Sequence, residues 1–176
     1  RNVTPLVLLP TISIQSLEGG GTSQSNFTVS IECDNTAVSG VSSGGTALGL
    51  QVPYVSYLAA QKLGLVNSSG GVSYLLSDGY GTDATIATGV GIALSNAATG
   101  TAMNFLGWGA CTSTGCPSGN DVGWYSVLNG ASASGSSASG YTNYQSVLTA
   151  TLKKIPGQTV TAGKVSAKAY VWVRVQ

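Results

Sequence analysis

The side chains that could carry out chemistry in this sequence are few, and the carboxylates are the first to consider. The 176-residue chain has 6 acidic residues and no histidine. On a strand, Glu32 and Asp34 would point to one face, as the two carboxylates of a retaining glycosidase would have to. Both residues follow an apolar run at the start of a turn, and Asp78 stands in the turn sequence Ser-Asp-Gly. These carboxylates therefore indicate turns and not a catalytic pair.

The missing histidine removes the commonest general acid–base catalyst and the commonest metal ligand. The sequence therefore predicts a protein that is not an enzyme and that needs no metal and no cofactor.

The three cysteines are the other reactive side chains. Cys111 and Cys116 bracket Thr-Ser-Thr-Gly, a loop short enough to close as a local disulfide, and no further ligand stands near enough for a zinc site. Cys33 is left over, either as a buried free thiol or with a partner that lies outside this chain. A disulfide favours an oxidising compartment.

Composition restricts the class of protein. Only 7% of the residues are charged and the formal net charge is +1, whereas an average domain has about 25% charged residues. The sequence offers no basic stripe for nucleic acid, and no apolar run approaches the roughly 20 residues that cross a bilayer. The length suits one folded domain. Because the chain starts at Arg1 with no basic and apolar leader, we expect a mature or excised form.

Alternation of apolar and polar residues with period two dominates the chain and predicts strands joined by turns. Phe27, Val29 and Ile31 alternate along one such strand, and Ile12 and Ile14 along another. Strands are predicted at 11–16, 25–33, 47–52, 72–76, 90–95, 123–128, 147–155 and 164–176, Asn129-Gly130 is a predicted hairpin turn, and 18–25 and 131–139 are predicted loops. A short helix or a loop is expected at 54–65.

The last predicted strand is the most informative segment. From 164 to 176 one face is uniformly aliphatic and the other is polar or amphipathic. Its length of about 13 residues is roughly twice that of an ordinary strand. It is either a long central strand of a sandwich or, in part, an edge that pairs with another chain.

Three stretches resemble the pilin subunits of chaperone–usher fimbriae, and in particular the C-terminal pilin domain of two-domain tip adhesins. The segment 27–33, FTVSIEC, is similar to the family's strand of alternating aromatic and aliphatic residues before a cysteine. The segment 160–165, VTAGKV, looks like the family's V-T-A-G-x-V, with Gly163 fourteenth from the end. The first four residues, RNVT, resemble the opening of an adhesin's pilin domain.

The chain also departs from the pilin pattern. Val175 stands where the family usually has a penultimate tyrosine. The family's cysteine at the position of Cys33 pairs with one near the first strand, and that partner would lie just ahead of Arg1. The middle of the chain, about 54–144, matches no family motif, and about 100–144 is expected to be an inserted loop region.

The resemblance implies an all-β fold: an immunoglobulin-like antiparallel sandwich (the pilin fold) that is incomplete by one strand and carries Gly/Ser-rich insertions. A single pilin domain would span 1–176, and the missing strand would leave an apolar groove. Transferred to this sequence, the groove is lined by Val3, Leu6, Leu8, Ile12, Ile14, Ala167, Ala169, Val171, Val173 and Val175. Gly163 and Gln176 bound the C-terminal segment that the chaperone would recognise, with basic chaperone residues meeting the Gln176 carboxylate.

The function implied by the resemblance is that of a structural subunit of an extracellular fimbrium. Its partners would be a periplasmic chaperone, an outer-membrane usher, an adjacent pilin subunit that donates a strand, and a host or surface receptor bound through a preceding domain. Since the chain starts almost at its first strand, it would accept a strand without giving one, as a subunit at the distal tip does. An ordinary pilin whose extension was removed is the alternative.

A binding module is the competing hypothesis from a different class. Trp108, Trp124, Tyr125 and Tyr141 in the inserted region would then form the surface that recognises a ligand. Aromatic side chains on a sandwich more often belong to the core.

Overall fold

The computed structural model describes residues 2–4, 6–36, 40, 46–109, 119–128, 130–134 and 138–174. Nine strands and two short helices make up the regular structure of these residues. In chain order the elements are β1 (Asn2–Val3), α1 (Ile14–Glu18), β2 (Ser23–Asp34), β3 (Ala47–Gln51), α2 (Tyr54–Lys62), β4 (Val90–Asn96), β5 (Ala102–Met103), β6 (Tyr125–Ser126), β7 (Ser132–Ser134), β8 (Tyr141–Lys154) and β9 (Tyr170–Arg174).

The larger sheet has the strand order β1-β2-β8-β4-β5, and β7 pairs with β8 beside that path. All of its strand pairs are antiparallel. The longest ladder joins β2 to β8 and runs from Ser23 opposite Leu152 to Asp34 opposite Tyr141. This ladder fixes the register of the sheet, because slipping it by one residue would turn every buried side chain outward.

The smaller sheet has the order β6-β3-β9 and is also antiparallel. Phe27 and Val29 of the larger sheet and Leu48 and Leu50 of the smaller sheet belong to one buried cluster between the two sheets. Two antiparallel sheets that share one apolar core form a β-sandwich. The predicted all-β, immunoglobulin-like antiparallel fold is therefore confirmed.

The inserted region covers the outer face of the smaller sheet. Leu106, Val122 and Trp124 form a second buried cluster with Ala47 of β3. Gly49, also on β3, gives this layer room, since a Cβ at that position would overlap the Leu106 side chain. The two sheets and this covering segment thus form three layers at the β3 position.

Several predicted elements are confirmed. The strands predicted at 25–33, 47–52, 90–95 and 147–155 are β2, β3, β4 and β8, and the short helix predicted at 54–65 is α2. The segment 72–76 forms isolated bridges from Val72 to Phe105 and from Leu75 to Ile92 and is not a continuous strand. In 123–128 only Tyr125–Ser126 pairs as a strand.

The strand predicted at 11–16 is wrong. Ile14–Glu18 is the helix α1, and the Ser13 side chain caps it by accepting a hydrogen bond from the Ser16 amide at 3.1 Å. Leu17 is the buried residue of this helix. A serine cap satisfies one of the amides that lack a partner at a helix start, which favours a helix over the extended alternative.

The predicted hairpin at Asn129-Gly130 is also wrong, although Asn129 itself lies outside the described residues. The strand before it, β6, pairs with β3 in the smaller sheet. The strand after it, β7, lies within the predicted loop 131–139 and pairs with β8 in the larger sheet. The turn therefore carries the chain from one sheet to the other, which a two-residue hairpin cannot do.

The strand predicted at 164–176 is shorter than expected. Tyr170–Arg174 pairs with β3, Lys164 forms an isolated bridge with Ile86, and 175–176 lie outside the described residues. From Val165 to Arg174 half-buried and exposed residues nevertheless alternate without a break. The segment is thus extended over its whole described length, but its first half has no strand beside it among the described residues.

Candidate functional site

A groove of about 680 Å³ opens between the first and the last segments of the chain. One edge is the segment 6–14, and the other is the segment 160–167. The floor is apolar and comes from α1, from the loop before β4, and from β4 and β8 of the larger sheet: Leu17, Ala87, Val90, Ile92 and Leu152. These floor residues include most of a compact buried cluster that is separate from the main core.

The first edge follows β1 and stays extended. The Thr4 amide donates to the Thr28 carbonyl at 3.1 Å, and beyond this point the chain leaves the β2 ladder. The Ser23 hydroxyl donates to the Pro10 carbonyl, which ties the edge back to the sheet. Proline has no amide hydrogen and cannot donate to a strand ladder. Pro10 is tolerated here because this segment is an edge.

The second edge is fixed by a close backbone crossing at Gly163. A Cβ there would lie 2.6 Å from the Ile86 carbonyl carbon and 2.8 Å from the Thr85 carbonyl oxygen. The neighbouring Lys164 amide donates to the Thr85 carbonyl at 2.8 Å, and its own carbonyl accepts from the Ala87 amide at 2.9 Å. Glycine is therefore required at this position by space, and the crossing fixes the middle of the second edge against the backbone of 85–87.

Both edges leave backbone groups unpaired on the side that faces the groove. Among the described residues, no amide between Leu6 and Ile12 donates to a backbone carbonyl. On the second edge the amides of Val165, Ala167 and Ala169 likewise have no partner among the described residues. Strand β9 continues this edge and is paired on one side only, as the last strand of its sheet. Unpaired edges of this kind are templates for another strand.

The charged groups around the groove form pairs with one another. Lys154 lies 3.0 Å from Glu18, and Lys168 lies 3.6 Å from Asp78. The hydrogen bond from the Val160 amide, followed by the one from Lys154, lowers the pKa of Glu18. Each of these two cations has a carboxylate beside it, and the charge of Lys164 on the second edge acts on the nearby Asp83 carboxylate, so the groove rim carries little net charge. An apolar, uncharged segment is the partner that such a surface suits.

The structure places the predicted groove residues in two groups. Five of them and the predicted boundary glycine line the cavity: Leu6, Leu8, Ile12, Ile14, Ala167 and Gly163. Four others do not line it but pack against the main core on the same two segments: Val3, Ala169, Val171 and Val173. Val175 and Gln176 lie outside the described residues, as do Cys111 and Cys116.

The floor of the groove was absent from the sequence-based prediction. Ala87, Val90 and Leu152 are buried on three separate segments, and no local motif indicates that they share this role. Val160 stands in the VTAGKV motif, which could have identified it as a groove residue.

Of the two carboxylates considered as a catalytic pair, Glu32 lies within β2, and Asp34 ends that strand and accepts the hydrogen bonds of the turn after it. The Asp34 carboxylate accepts hydrogen bonds from the amide and hydroxyl of Thr36 at 2.8 and 2.7 Å, and these bonds lower the pKa of Asp34. Asp83 accepts the same pair of bonds from Thr85. Within the described ranges, no three His, Cys, Asp or Glu residues come together as a metal site.

Cys33 is a free, half-buried thiol within the described part of the chain. Burial raises the pKa of this thiol above its ordinary value. A thiol whose pKa is raised by burial is poorly reactive.

The aromatic residues proposed as a ligand surface do not form one. Trp124 and Tyr125 are only 2% and 5% exposed and belong to the core. Trp108 and Tyr141 are exposed, and Trp108 packs against Tyr54 of α2 with ring centroids 5.8 Å apart. This disfavours a ligand-binding module built on all four rings.

Neither α1 nor α2, the two helices of the described residues, has the length and apolar character of a membrane span.

Comparison with known proteins identifies the family. The family model described as "Fimbrial protein" matches residues 1–176, the whole of the sequence. The chain belongs to this family. It is a structural, non-enzymatic subunit of a chaperone–usher pilus and is assembled into extracellular fimbriae. The family's partners are a chaperone, an usher and the adjacent pilin subunit.

Two solved structures are similar to this chain. The crystal structure of the P pilus rod subunit PapA has 19% sequence identity and a TM-score of 0.49, with 99% of this chain and 98% of that chain covered. A chaperone–usher pilus structure that addresses rod uncoiling has 18% identity and a TM-score of 0.48, with coverages of 99% and 86%. No curated protein sequence matches the chain.

Proposed function

We propose that the groove accepts a β-strand from another protein, first from the periplasmic chaperone and then from the adjacent pilin subunit. The observation that supports this proposal is that two features occur at the same place. The edges at 6–12 and 165–169 have amides with no backbone partner in the part of the chain that the structure describes, and the floor between the edges is apolar. A strand laid between the edges would satisfy both sets of backbone groups and bury its inward side chains.

Burial of the incoming strand's apolar side chains would supply enough free energy for binding without any cofactor. Each Val, Leu, Ile or Phe side chain that moves from water into the groove contributes about 1.5 to 3 kcal/mol. Both sheets are wholly antiparallel, so we place the incoming strand antiparallel to β9. Its inward residues would then lie over Val171, Ala169 and Ala167 in turn before reaching the cavity floor.

The chaperone would hold the end of the chain through the segment that Gly163 begins. The tight crossing at Gly163 fixes the direction in which residues 164–174 leave the sandwich. We propose that basic residues of the chaperone bind the carboxylate of Gln176.

We further propose one pilin domain over 1–176 in which the inserted region is part of the domain. The contacts of Leu106 and Trp124 with Ala47 of β3 support this, because they join the insertion to the smaller sheet. Within the fimbrium, the resemblance of RNVT to the opening of an adhesin's pilin domain supports a place at the distal tip. There the domain would anchor an adhesin to the fibre, and the adhesin would meet a host receptor. Antibody labelling of intact fibres tests this placement, since a tip subunit is labelled only at fibre ends.

A peptide-binding experiment tests the acceptor function. The probe is a synthetic strand with alternating Val, Ile and Phe, and binding to the parent is compared with binding to Ala167→Asp and Lys168→Ser. Ala167 lines the groove, while Lys168 is its neighbour on the exposed face. We expect Ala167→Asp to weaken binding at least a hundredfold, since a charge would be buried unpaired, and Lys168→Ser to change it little. Equal binding by all three proteins would refute the groove assignment.

A further inference from the structure

Two half-exposed aromatic side chains lie on the outer face of the smaller sheet, away from the groove. Tyr170 and Trp172 alternate along β9 and are 46% and 49% exposed. Their cross-strand partners on β3 are Gln51 and Gly49, and directly opposite residues of an antiparallel pair share one face. This face is the outer one, because a Cβ on Gly49 would overlap the Leu106 side chain of the covering segment.

The Gln51 side chain joins these rings to a second pair. Its Oε1 accepts the Trp172 indole Nε1–H at 2.9 Å, and its Nε2–H donates to the Gly107 carbonyl at 3.2 Å. Trp108 follows Gly107 and packs on Tyr54 of α2, with ring centroids 5.8 Å apart and ring planes tilted by 59°. Both of these rings are about as exposed as Trp172. We call this surface the aromatic platform, formed by Tyr54, Trp108, Tyr170 and Trp172 with Gln51 between them.

The Gln51 amide is held in position and still has hydrogen-bonding capacity. A side-chain amide can donate two hydrogen bonds and accept two. Gln51 uses one of each with partners among the described residues. One N–H and one lone pair therefore remain for a ligand. Because the amide and its flanking rings are already ordered, binding would cost little conformational entropy.

The backbone beneath the platform is not open to another strand. Gln51 is opposite Tyr170 on one side and forms a parallel bridge with Leu106 on the other. Both sides of β3 are thus occupied at this position. A ligand over Gln51 would meet side chains and not a free sheet edge, which disfavours recognition of a peptide by strand addition.

Charged groups stand only at the margins of the platform. Arg174 is two residues beyond Trp172 on the same face of β9, and Lys62 is at the far end of α2. In the part of the chain that the structure describes, the cation–π contact is that of Lys153 with Tyr74, which is outside the platform. A ligand over the four rings would therefore be held by stacking and by hydrogen bonds, without an ion pair at its centre.

We propose that the aromatic platform binds a carbohydrate. A pyranose ring has an apolar face of C–H groups, which stacks on the electron-rich face of an aromatic ring. Its hydroxyl groups both donate and accept, as the remaining N–H and lone pair of Gln51 require. An apolar protein surface would instead bury these amide groups without partners, at a cost. Since rings lie on both sides of the amide, the platform suits an oligosaccharide better than a single sugar.

The chain's three tryptophans allow a direct test by nuclear magnetic resonance of their indole N–H groups. The probes are tetrasaccharides of glucose, galactose, mannose and N-acetylglucosamine, each titrated to about 10 mM so that weak complexes are seen. A proline-rich peptide is the comparison, because such peptides also bind aromatic surfaces. We expect at least one tetrasaccharide to shift the Trp108 and Trp172 signals and to leave that of Trp124 in place, since Trp124 is buried.

Trp108→Ala and Gln51→Leu should each weaken binding of that tetrasaccharide about tenfold, as the loss of one central contact does. Tyr141→Ala is the matched control and should bind as the parent does, because Tyr141 is a similarly exposed ring on β8 of the larger sheet. Trp108→Ala should also bind the donor-strand peptide normally, since no platform residue lines the groove.

The proposal is overturned if none of the tetrasaccharides shifts the Trp108 and Trp172 signals, or if Trp108→Ala binds sugar as well as Tyr141→Ala does. Binding of the proline-rich peptide alone would also overturn it and make the platform a peptide site. These outcomes leave the acceptor function untouched, because the donor-strand titration is measured separately.

Discussion

The Glu18 carboxylate accepts a hydrogen bond from the Val160 amide at 2.7 Å and lies 3.0 Å from the Lys154 ammonium. These contacts join the end of α1 to the end of β8 and to the start of the second groove edge. Leu17, the buried residue of α1, contributes to the groove floor beside Val160. One exposed carboxylate therefore helps to hold three parts of the groove together.

Glu18→Gln should lower the melting temperature at neutral pH and have no effect in acid. The hydrogen bond from Val160 and the pairing with Lys154 lower the folded-state pKa of Glu18 below its ordinary value of 4.5. A lowered pKa means that the stabilisation is present above 4.5 and is lost as the pH falls through the folded-state value. Thermal unfolding of both proteins from neutral pH into acid measures this difference. A gap that stays constant with pH would show that the charge of Glu18 does not contribute.

Gly163→Ala should destabilise the protein by about 1 to 3 kcal/mol, the usual cost of forcing an extra methyl group into a packed site. The new Cβ would overlap the backbone of 85–87, which cannot move aside as a flexible side chain can. Gly19→Ala is the matched control, because its Cβ would lie 3.4 Å from the nearest atom, an ordinary contact. Urea unfolding measures the free energy of unfolding of the two variants. Equal losses of stability would contradict the close backbone crossing at Gly163.

Trp124→Ala should lower the free energy of unfolding by about 3 to 5 kcal/mol. Trp124 is only 2% exposed and packs with Leu106 and Val122 over Ala47. Trp108→Ala is the control. Because Trp108 is 49% exposed, this substitution should lower the free energy of unfolding by less than about 1 kcal/mol.

Chemical unfolding followed by circular dichroism compares these tryptophan variants. A small loss in Trp124→Ala would mean that the inserted region is not part of the domain core. Trp124→Phe is a useful third variant, because the indole Nε1–H is buried and has no hydrogen-bond partner among the described residues. Phenylalanine should therefore recover much of the stability that alanine loses.

The sequence predicted the long elements well because their signal is repeated. Phe27, Val29 and Ile31 alternate over enough residues to exclude a helix, and the ladder of β2 with β8 confirms them. Ile12 and Ile14 alternate over three residues only. In so short a stretch the serine between them serves equally well as a helix cap, and the structure shows that it caps α1.

The groove was predictable at its edges and not at its floor. The alternation along 164–174 predicts that one side of the segment is buried, whichever segment lies opposite. The positions of Ala87, Val90 and Leu152 beneath the groove depend on how β4 pairs with β8, a long-range relationship with no local signal. The same holds for β6 and β7, which neighbour each other in sequence and lie in different sheets.

Amide hydrogen exchange with and without a donor peptide tests strand acceptance most directly. In the free protein the amides of Val165, Ala167 and Ala169 have no partner among the described residues and should exchange rapidly. Amides in the middle of the β2–β8 ladder provide the internal reference, since they are paired in both states. With a saturating donor peptide, we expect protection at alternate amides along 165–173 and along 6–12, and no change in the reference. Peptide binding that leaves these edge amides unprotected would contradict the account, because the peptide would then be held without joining the sheet.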